Sequence, residues 1–351
     1  MNENKKDIKS MTITQLQQEL ERWQEKPFRA RQLYQWMHQK LAADFSAMTN
    51  LSLPLREKLA QHYYYTTLRL VREQVSAQDG TRKYLFELAD GNLVESVLMK
   101  YQHGNSLCIS SQVGCRMGCR FCASTLDGLK RSLSSSEMLE QIYAVTRLTG
   151  ERVSHVVVMG IGEPMDNYDS LLRFIRLLCD EQGLHISQRN ITVSTCGIVP
   201  RIKDLAGEAL QITLAVSLHA PNDSKRQQIM PIANQYSIAD IMAACHYYFK
   251  STGRRITFEY SLIAGFNDTD EDAAELAALL KPLGAHVNLI PVNPIKERKY
   301  QESDGARIRG FKNKLEKDGI NVTIRREMGR DIDGACGQLR QRHHEQAVLE
   351  V

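Results

Sequence analysis

Residues 115–122 read Cys-Arg-Met-Gly-Cys-Arg-Phe-Cys, and the interpretation of the whole chain starts from this loop. Gaps of four and then three residues place the thiols of Cys115, Cys119 and Cys122 close together on one tight loop. A structural zinc site or a fully ligated iron–sulfur cluster takes four protein ligands. Three close cysteines without a local fourth therefore predict a [4Fe–4S] cluster with one iron open to a small molecule, and hence an enzyme. The alternative is a zinc knuckle that borrows a distant His or Cys ligand.

Strand-like and helix-like segments alternate from residue 104 onward, and the cysteine loop follows the first strand. About six strand–helix units in a row predict an α/β fold with a parallel sheet, either open or curled into a partial barrel. Ligands of such sheets bind at the carboxyl ends of the strands, which is where the loop lies. The predicted strands are Leu107–Ser111, Val153–Met159, Asn190–Ser194, Ile212–Leu218, Arg255–Ile263 and Val287–Pro291, with one more short strand at Val322–Arg326. The first predicted helix begins near Ser136, where Ser134-x-x-Glu137 resembles a capping box. The later predicted helices span Ser170–Cys179, Pro200–Leu205, Ile238–Phe249, Asp270–Leu280 and Ala306–Lys317.

The part of the chain before the cysteine loop divides into a helical region and a hairpin. Apolar residues recur at helical spacing over residues 13–66. From about residue 68 the period changes to two, and Asp90-Gly91 joins two strand-like segments, Thr81–Leu88 and Leu93–Tyr101. We therefore predict four parts: a helical accessory domain at 1–66, a β-hairpin linker at 67–100, a core at 101–331 and a C-terminal segment at 332–351.

The composition is that of an ordinary globular protein of 351 residues, with 42% hydrophobic and 25% charged residues. The chain begins with polar residues, and its apolar stretches are far too short to cross a bilayer, so we expect a cytoplasmic location. In that compartment we expect the eight cysteines to be thiols, metal ligands or redox-active groups.

The net charge of +4 is too small to indicate a nucleic-acid partner by itself. Charge runs are usually solvated helix faces. However, cations next to a reactive centre favour a substrate that carries phosphate groups. The basic residues around the cysteine loop are Arg116, Arg120, Lys130 and Arg131.

A glycine-rich turn, Gly160-Ile-Gly162-Glu163-Pro164, follows the second predicted strand of the parallel sheet. Glycines let the backbone approach a ligand closely, and a neighbouring carboxylate accepts hydrogen bonds from an ammonium group. By itself such a turn usually means only a tight change of direction. Its position, one strand–helix unit after the cysteine loop, makes it a candidate part of the same binding site.

The cysteine loop and the strand–helix units after it resemble the radical S-adenosylmethionine (SAM) superfamily. Further motifs, over nearly the whole chain, resemble the RlmN/Cfr family, whose members methylate an adenine base in RNA. This resemblance implies a TIM-like partial (β/α)6 radical SAM barrel and an N-terminal helical domain that binds RNA. The motifs are Lys26-Pro-Phe-Arg29, Ser110-Ser-Gln-Val-Gly-Cys115, Gly162-Glu-Pro164, Ser217-Leu-His-Ala-Pro-Asn-Asp223, Asn288-Leu-Ile-Pro-Val-Asn-Pro294 and Asp333-Gly-Ala-Cys-Gly-Gln-Leu339.

The resemblance implies two cofactors and the residues that bind them. Cys115, Cys119 and Cys122 would hold one [4Fe–4S] cluster per chain, and two SAM molecules would be used per turnover. Without the resemblance, the serines of the site would simply end strands, and His219 would be a hydrogen-bonded core histidine. The implied SAM contacts are Gly162, Glu163, Ser194, Ser217, Leu218, His219 and Asn293.

The resemblance also implies three residues for methyl transfer. Cys336 matches the cysteine that one SAM methylates first, before a radical from a second SAM turns it into a methylene donor. Glu95 matches the proton acceptor, and Cys108 matches the resolving cysteine that forms a disulfide as product is released. Without the family pattern, Cys336 would be a small buried hydrophobic residue and Glu95 an ordinary strand carboxylate. The cysteines expected only to pack are Cys179, Cys196 and Cys245.

The family has two branches, which methylate adenine at C2 or at C8. Pro164 favours the C2 branch, because Ala is typical there of the C8 branch. The implied substrates are 23S ribosomal RNA, at its peptidyl-transferase adenosine, and the adenosine 3′ of the anticodon in some tRNAs. We expect a monomer with no membrane partner, reduced by a flavodoxin or ferredoxin. The alternatives are C8 methylation of the same nucleotide and a non-catalytic, metal-stabilised RNA-binding protein.

Overall fold

The computed structural model describes residues 5–294 and 298–349 of the chain. Three segments lie outside the described residues: 1–4, which begin the predicted accessory domain, 295–297 of the predicted core, and 350 and 351, which end the predicted C-terminal segment. Within the described ranges, no helix combines the length and the apolar character needed to cross a membrane.

The N-terminal module is helical, as its apolar spacing predicts. Its first helix begins at a capping box, in which Thr12 and Gln15 each bond the other's backbone N–H. The second helix starts directly after Pro27, where a missing N–H costs nothing. The elements of this module are β1 (Lys6–Asp7), α1 (Ile13–Glu21), α2 (Phe28–His38), α3 (Leu53–His62) and β2 (Tyr63–Tyr64), with β1 and β2 paired in parallel.

The rest of the chain builds one large sheet and the helices that cover it. In chain order its elements are β3 (Arg69–Val75), β4 (Arg82–Glu87), β5 (Leu93–Tyr101), β6 (Gly104–Cys108), β7 (Gln112–Gly114), β8 (Leu129–Ser132), α4 (Ser135–Thr149), β9 (Val153–Val158), α5 (Tyr168–Cys179), β10 (Ile191–Thr195), α6 (Val199–Gly207), β11 (Thr213–Ser217), α7 (Asp223–Ile229), α8 (Ile238–Thr252), β12 (Thr257–Leu262), α9 (Asp270–Leu280), β13 (His286–Pro291), α10 (Gly305–Lys317), β14 (Asn321–Ile324) and α11 (Gln338–Leu349).

Within the described ranges, ten strands form the main sheet in the order β14-β13-β12-β11-β10-β9-β6-β5-β4-β3. In this sheet, β6 and the strands β9 to β14 are paired in parallel, which confirms the predicted α/β fold with its parallel core. The strands from β3 to β6 are antiparallel, and β5 places Val97 opposite Cys108 of β6. The segment predicted as a linker, 67–100, thus contributes three strands to the main sheet.

The N-terminal module packs on helix α4 through a buried ion pair. Lys9 Nζ lies 2.6 Å from a carboxylate oxygen of Glu140, and both side chains are fully buried. The same ammonium donates to the Thr66 carbonyl at 2.7 Å, and Arg147 bonds the other oxygen of Glu140. A buried pair of this kind is costly to break, because the remaining charge would lack a partner. The module is therefore fixed against the helix that follows the cysteine loop.

The local signals at helix ends are confirmed, but three features differ from the sequence-based expectation. Helix α4 has the predicted capping box of Ser134 and Glu137. The first parallel strand ends at Cys108 rather than at residue 111, because Ser110 N–H bonds the Gln141 side chain instead of a neighbouring strand. The strand pair β7–β8 and the helices α7 and α11 were not predicted, since each is short or lacks an apolar repeat.

Candidate active site

The cysteine loop is held by its own backbone and by helix α7. Strands β7 and β8 pair on either side of it, and Cys115 N–H donates to the Gly128 carbonyl at 2.9 Å. Gly114 has φ +75°, and a Cβ there would lie 1.9 Å from the same carbonyl oxygen, so only glycine fits. Arg120 N–H donates to the Ile229 carbonyl of α7 at 2.8 Å. The loop is therefore a defined scaffold for its three thiols.

The three thiols lie in a sparsely solvated, largely apolar surrounding. Cys115 and Cys119 are buried, and Cys122 is half-buried. Burial raises the pKa of the Cys115 thiol to about 12 and the pKa of the Cys119 thiol well above its usual value. Thiolate ligands in such a place need a metal centre or other positive charge to stabilise them.

Arg226 of helix α7 supplies a buried positive charge beside these thiols. Its guanidinium donates to the carbonyls of Cys196 at 2.6 Å and Leu218 at 3.2 Å. Among the described residues, its Nη1 has no hydrogen-bond partner. The positive charge of Arg226 attracts a negative charge on the Cys119 sulfur, so it lowers the free energy needed to form a thiolate there.

The donor set of the loop fits an iron–sulfur cluster better than a single metal ion. Nowhere in the described part of the chain are three or more His, Cys, Asp or Glu side chains grouped closely enough to hold one ion. A single zinc ion would draw its thiolates to within about 4 Å of one another. Three soft thiolates on one loop, with a buried cation beside them, suit an anionic iron–sulfur centre.

The glycine-rich turn places Glu163 at the carboxyl end of β9. Gly162 has φ +110° and packs against Gln112, whose side chain accepts the Glu163 N–H at 2.9 Å. The carboxylate is buried and accepts the N–H groups of Met165 at 3.0 Å and Cys196 at 2.8 Å. Burial raises the pKa of Glu163 despite these bonds. The turn thus presents a well-oriented acceptor between β9 and β10.

Ser194 and Ser217 lie side by side at the ends of adjacent strands. Ser194 is on β10 and Ser217 on β11, and their hydroxyl oxygens are 3.4 Å apart. Leu218, which follows Ser217, is fully buried. Polar hydroxyls at neighbouring carboxyl ends of parallel strands are where this type of sheet binds a ligand.

His219 connects this strand edge to the cysteine loop. Its ring meets the ring of Phe121, a residue of the loop, edge to face at 4.9 Å. Its Nδ1 accepts the Ser261 N–H at 2.9 Å, and burial lowers the pKa of His219 to about 3. The neutral ring therefore carries its proton on Nε2, where it can donate to a ligand.

A cavity of about 420 Å³ brings together residues from four distant parts of the chain. Glu95 reaches it from β5, Cys108 from the end of β6, Asn293 from the segment after β13, and Cys336 from the C-terminal segment. Cys108 is buried, which raises the pKa of its thiol. The structure therefore groups the three residues that the family pattern assigns to methyl transfer, together with one implied SAM contact.

Cys336 contacts the cysteine loop directly. Its Sγ lies 3.1 Å from the hydroxyl oxygen of Ser124, two residues after Cys122. Burial raises the pKa of the Cys336 thiol well above its usual value, and the hydrogen bond from Ser124 opposes part of that rise. The sequence gives no indication of this contact, because Ser124 carries no recognisable motif.

Glu95 is fully engaged with the segment that carries Cys336. Its two carboxylate oxygens accept the N–H groups of Gly337 at 2.7 Å and Arg340 at 2.6 Å. The ammonium of Lys83, on β4, lies 2.9 Å from the same carboxylate. No motif in the sequence marks Lys83 as part of this site. A signal existed, since on paired strands Lys83 and Glu95 lie on one face at diagonal positions.

Residues 6–64 match the family model described as "Ribosomal RNA large subunit methyltransferase N-terminal domain", and residues 109–280 match that of the Radical SAM superfamily. The chain is 65% identical to a "Probable dual-specificity RNA methyltransferase RlmN" of Lachnospira eligens, over 97% of each chain. It is 59% identical to the protein of the same name from Lachnoclostridium phytofermentans, over 98% of this chain and 97% of that one.

A solved structure shows the same fold over almost the whole chain. It is a radical SAM methyltransferase from Sphaerobacter thermophilus, with a TM-score of 0.91 and 44% sequence identity. The match covers 95% of this chain and 98% of that chain, so it includes the N-terminal module as well as the sheet.

Proposed function

The chain belongs to the RlmN family of radical SAM RNA methyltransferases, and we propose that it methylates C2 of adenosine in 23S ribosomal RNA and in tRNA. The tRNA target would be the adenosine 3′ of the anticodon. The observation that carries the proposal is the placement of Cys336, which contacts the cysteine loop through Ser124 and shares a cavity with Glu95 and Cys108. Pro164 supports C2 rather than C8 as the site of methylation.

We propose that Cys115, Cys119 and Cys122 bind a [4Fe–4S] cluster and that Glu163, Ser194, Ser217 and His219 are among the residues that contact SAM. When bound, the cluster would supply the electron that cleaves SAM to a 5′-deoxyadenosyl radical. The protein's own contribution is a polar edge for SAM. Glu163 offers a carboxylate to its ammonium group, and the serine hydroxyls and His219 Nε2–H offer donors to its oxygen atoms.

Cys336 is the proposed methyl acceptor, and its surroundings suit that task. Its thiolate would attack the methyl carbon of one SAM, so that the Cys336 S–CH3 bond forms as the bond from that carbon to the SAM sulfur breaks and S-adenosylhomocysteine leaves. Because burial raises the pKa of this thiol, the thiolate is reactive only where a hydrogen bond such as that from Ser124 stabilises it. The methylated sulfur then stays in the cavity, next to the space that a base must enter.

Glu95 and Cys108 are proposed to complete the reaction on the base. The 5′-deoxyadenosyl radical would remove a hydrogen atom from the Cys336 methyl group, and the resulting methylene radical would add to adenine C2. Once the adduct has given up one electron, which the cluster would accept, Glu95 takes the proton from adenine C2. The Cys108 thiolate then attacks the Cys336 sulfur, so a disulfide forms as the carbon–sulfur bond breaks, and the released methylene carbon takes up a proton to become the methyl group of the departing base. Two electrons must reduce this disulfide before the next turnover. Separately, we propose an electron donor such as flavodoxin or ferredoxin as the protein that reduces the cluster.

The mouth of the cavity suits an RNA substrate. Its exposed guanidinium groups would contact phosphates near an unstacked adenosine. If so, RNA affinity should fall steeply between low and moderate salt, and a flat salt response would contradict this assignment. The arginines that line the cavity are Arg325, Arg326, Arg330 and Arg342.

The proposed regiochemistry and substrates can be tested together by mass spectrometry. Ribosomal RNA and tRNA would be digested to nucleosides from cells with and without this protein. We expect 2-methyladenosine in both RNA classes only when the protein is present. Appearance of 8-methyladenosine instead would overturn the C2 assignment, and a signal in one RNA class alone would overturn the dual substrate range.

A further inference from the structure

Lys83 is a buried lysine to which the proposed reaction assigns no role. It lies on β4, and its side chain has no exposed surface. Its ammonium has three donors, and three acceptors surround it: the carbonyl oxygens of Asp333 and Ala335, each at 2.5 Å, and Glu95 Oε2 at 2.9 Å. All three of its N–H donors thus bind either the Glu95 carboxylate or the distant segment that contains Asp333 and Ala335.

Lys83 and Glu95 bind the chain on the two sides of Cys336. Lys83 donates hydrogen bonds to the carbonyl oxygens of Asp333 and Ala335, which precede the cysteine. Glu95 accepts hydrogen bonds from the N–H groups of Gly337 and Arg340, which follow the cysteine. Because both side chains are buried and charged, these bonds are stronger than ordinary ones, and losing one partner leaves the other charge unpaired.

We propose that Lys83 is a positioning residue that holds both the Cys336 segment and the Glu95 carboxylate in the cavity. This inference rests on the proposed role of Cys336 as methyl acceptor. Without the ammonium, the carbonyl side of the segment loses its anchor and Glu95 loses the charge that orients it. The Cys336 sulfur then samples other positions, and small displacements of a reacting atom slow its reaction strongly.

Hydrogen–deuterium exchange of the cluster-free protein tests the structural part of this inference. In Lys83→Met, exchange should accelerate by about tenfold or more in residues 333–340 while α8 and α9 exchange as before. Lys100→Met is the matched control, because Lys100 lies on the adjacent strand β5 and its ammonium pairs with Glu151 at the protein surface. Unchanged exchange in 333–340, or equal acceleration throughout the protein, would overturn the inference.

Methylation of Cys336 tests the chemical part. After reconstitution and incubation with SAM, the fraction of Cys336 carrying a methyl group is measured by mass spectrometry of its peptide. We expect the initial rate to fall by about tenfold in Lys83→Met and to stay within about twofold in Lys100→Met. An unchanged rate would overturn the positioning role. If the wild-type protein never methylates Cys336, the proposed function fails instead, while the exchange experiment still reports on Lys83.

A second variant covers the case in which Lys83→Met does not fold. The double variant Lys83→Met/Glu95→Gln leaves no unpaired buried charge, so it removes the main cause of misfolding. Exchange in 333–340 should still be accelerated relative to Glu95→Gln alone. If the double variant exchanges there as slowly as Glu95→Gln, Lys83 does not anchor the segment.

Discussion

The two groups of cysteines in this molecule are positioned in different ways. Cys115, Cys119 and Cys122 occur within eight residues, and the backbone of their own loop holds them. Cys336 is held by Ser124 and by Lys83 and Glu95, which lie on two antiparallel strands. Lys83, for example, bonds Asp333, which is 250 residues away in the chain. The first group is a property of a short peptide on a scaffold. The second exists only once the sheet and the C-terminal segment have come together, so it should respond to substitutions that the first group does not feel.

The largest effect expected in the local group is loss of the cluster. Cys119→Ala removes one of three thiolates, so the iron content after anaerobic reconstitution should fall to background and RNA methylation should be abolished. Iron analysis and EPR spectra check this. Cys245→Ala, also buried but on helix α8, is the control and should bind iron normally. A wild-type protein with stoichiometric zinc and no iron would defeat the radical interpretation of the loop.

Substitutions in the distant group should block the reaction at a later step and leave the cluster intact. Cys336→Ala should bind iron as the wild type does, yet give neither methylated RNA nor a covalent protein–RNA adduct. Cys108→Ala should accumulate that adduct, because the bond to Cys336 forms but is not resolved. Denaturing gels with labelled RNA distinguish the two. Retained methylation in Cys336→Ala would show that the two-cysteine mechanism is wrong here.

His219 packs against the first group through Phe121, and its titration should appear in the pH dependence of stability. Burial holds its pKa at about 3 in the folded protein, below the usual 6.5. As the pH falls below 6.5, the unfolded chain takes up a proton that the folded chain does not, so stability is lost. At pH 5 this amounts to about 2 kcal/mol.

The measurement is urea denaturation of the cluster-free protein at pH 7 and pH 5. His219→Asn keeps an acceptor for the Ser261 N–H but has no titrating ring, so it should lose about 2 kcal/mol less than the wild type over this range. His38, also buried with a pKa lowered to about 3, is unchanged in both proteins and cancels in the comparison. Equal losses would show that His219 is not held neutral.

The smallest effect separates two neighbouring hydroxyls. Ser124→Ala removes the hydrogen bond to Cys336 and should slow its methylation by about tenfold, with normal iron content. Thr125→Val removes bonds to the carbonyls of Cys119 and Cys122 and should lower iron retention instead. Mass spectrometry of the Cys336 peptide and iron analysis would be run on both variants. Identical profiles would contradict the separation of the two groups.

Much of the fold was predictable because its signals are local. Helix α9 was predicted at Asp270–Leu280 and is observed with those bounds, and strand β5 was predicted at Leu93–Tyr101 and is observed there. The first parallel strand was displaced because side chains such as Gln141 compete for backbone groups near its end. Helix α11 was missed because it has almost no apolar face, so no periodicity announces it.

The candidate site was predictable only where a motif or the family pattern named a residue. The geometry of the cysteine loop follows from its spacing, and Gly114 allows the close turn beside it. Lys83 and Ser124 were missed, since a lysine in a strand and a serine in a loop are usually solvent-exposed. What makes them part of the site is a contact with the C-terminal segment, and no local pattern encodes that contact.

The sequence by itself determined the three-thiol loop, the alternation of strands and helices, and the edge of the sheet at which a ligand binds. Covalent spacing and side-chain periodicity act over a few residues, so the order of residues is enough to specify them. Only the tertiary structure decided that Cys336 meets Ser124, and that Lys83 and Glu95 bind the chain on either side of it. Those contacts join residues more than 200 positions apart, and they form because buried charges must find partners within the packed molecule.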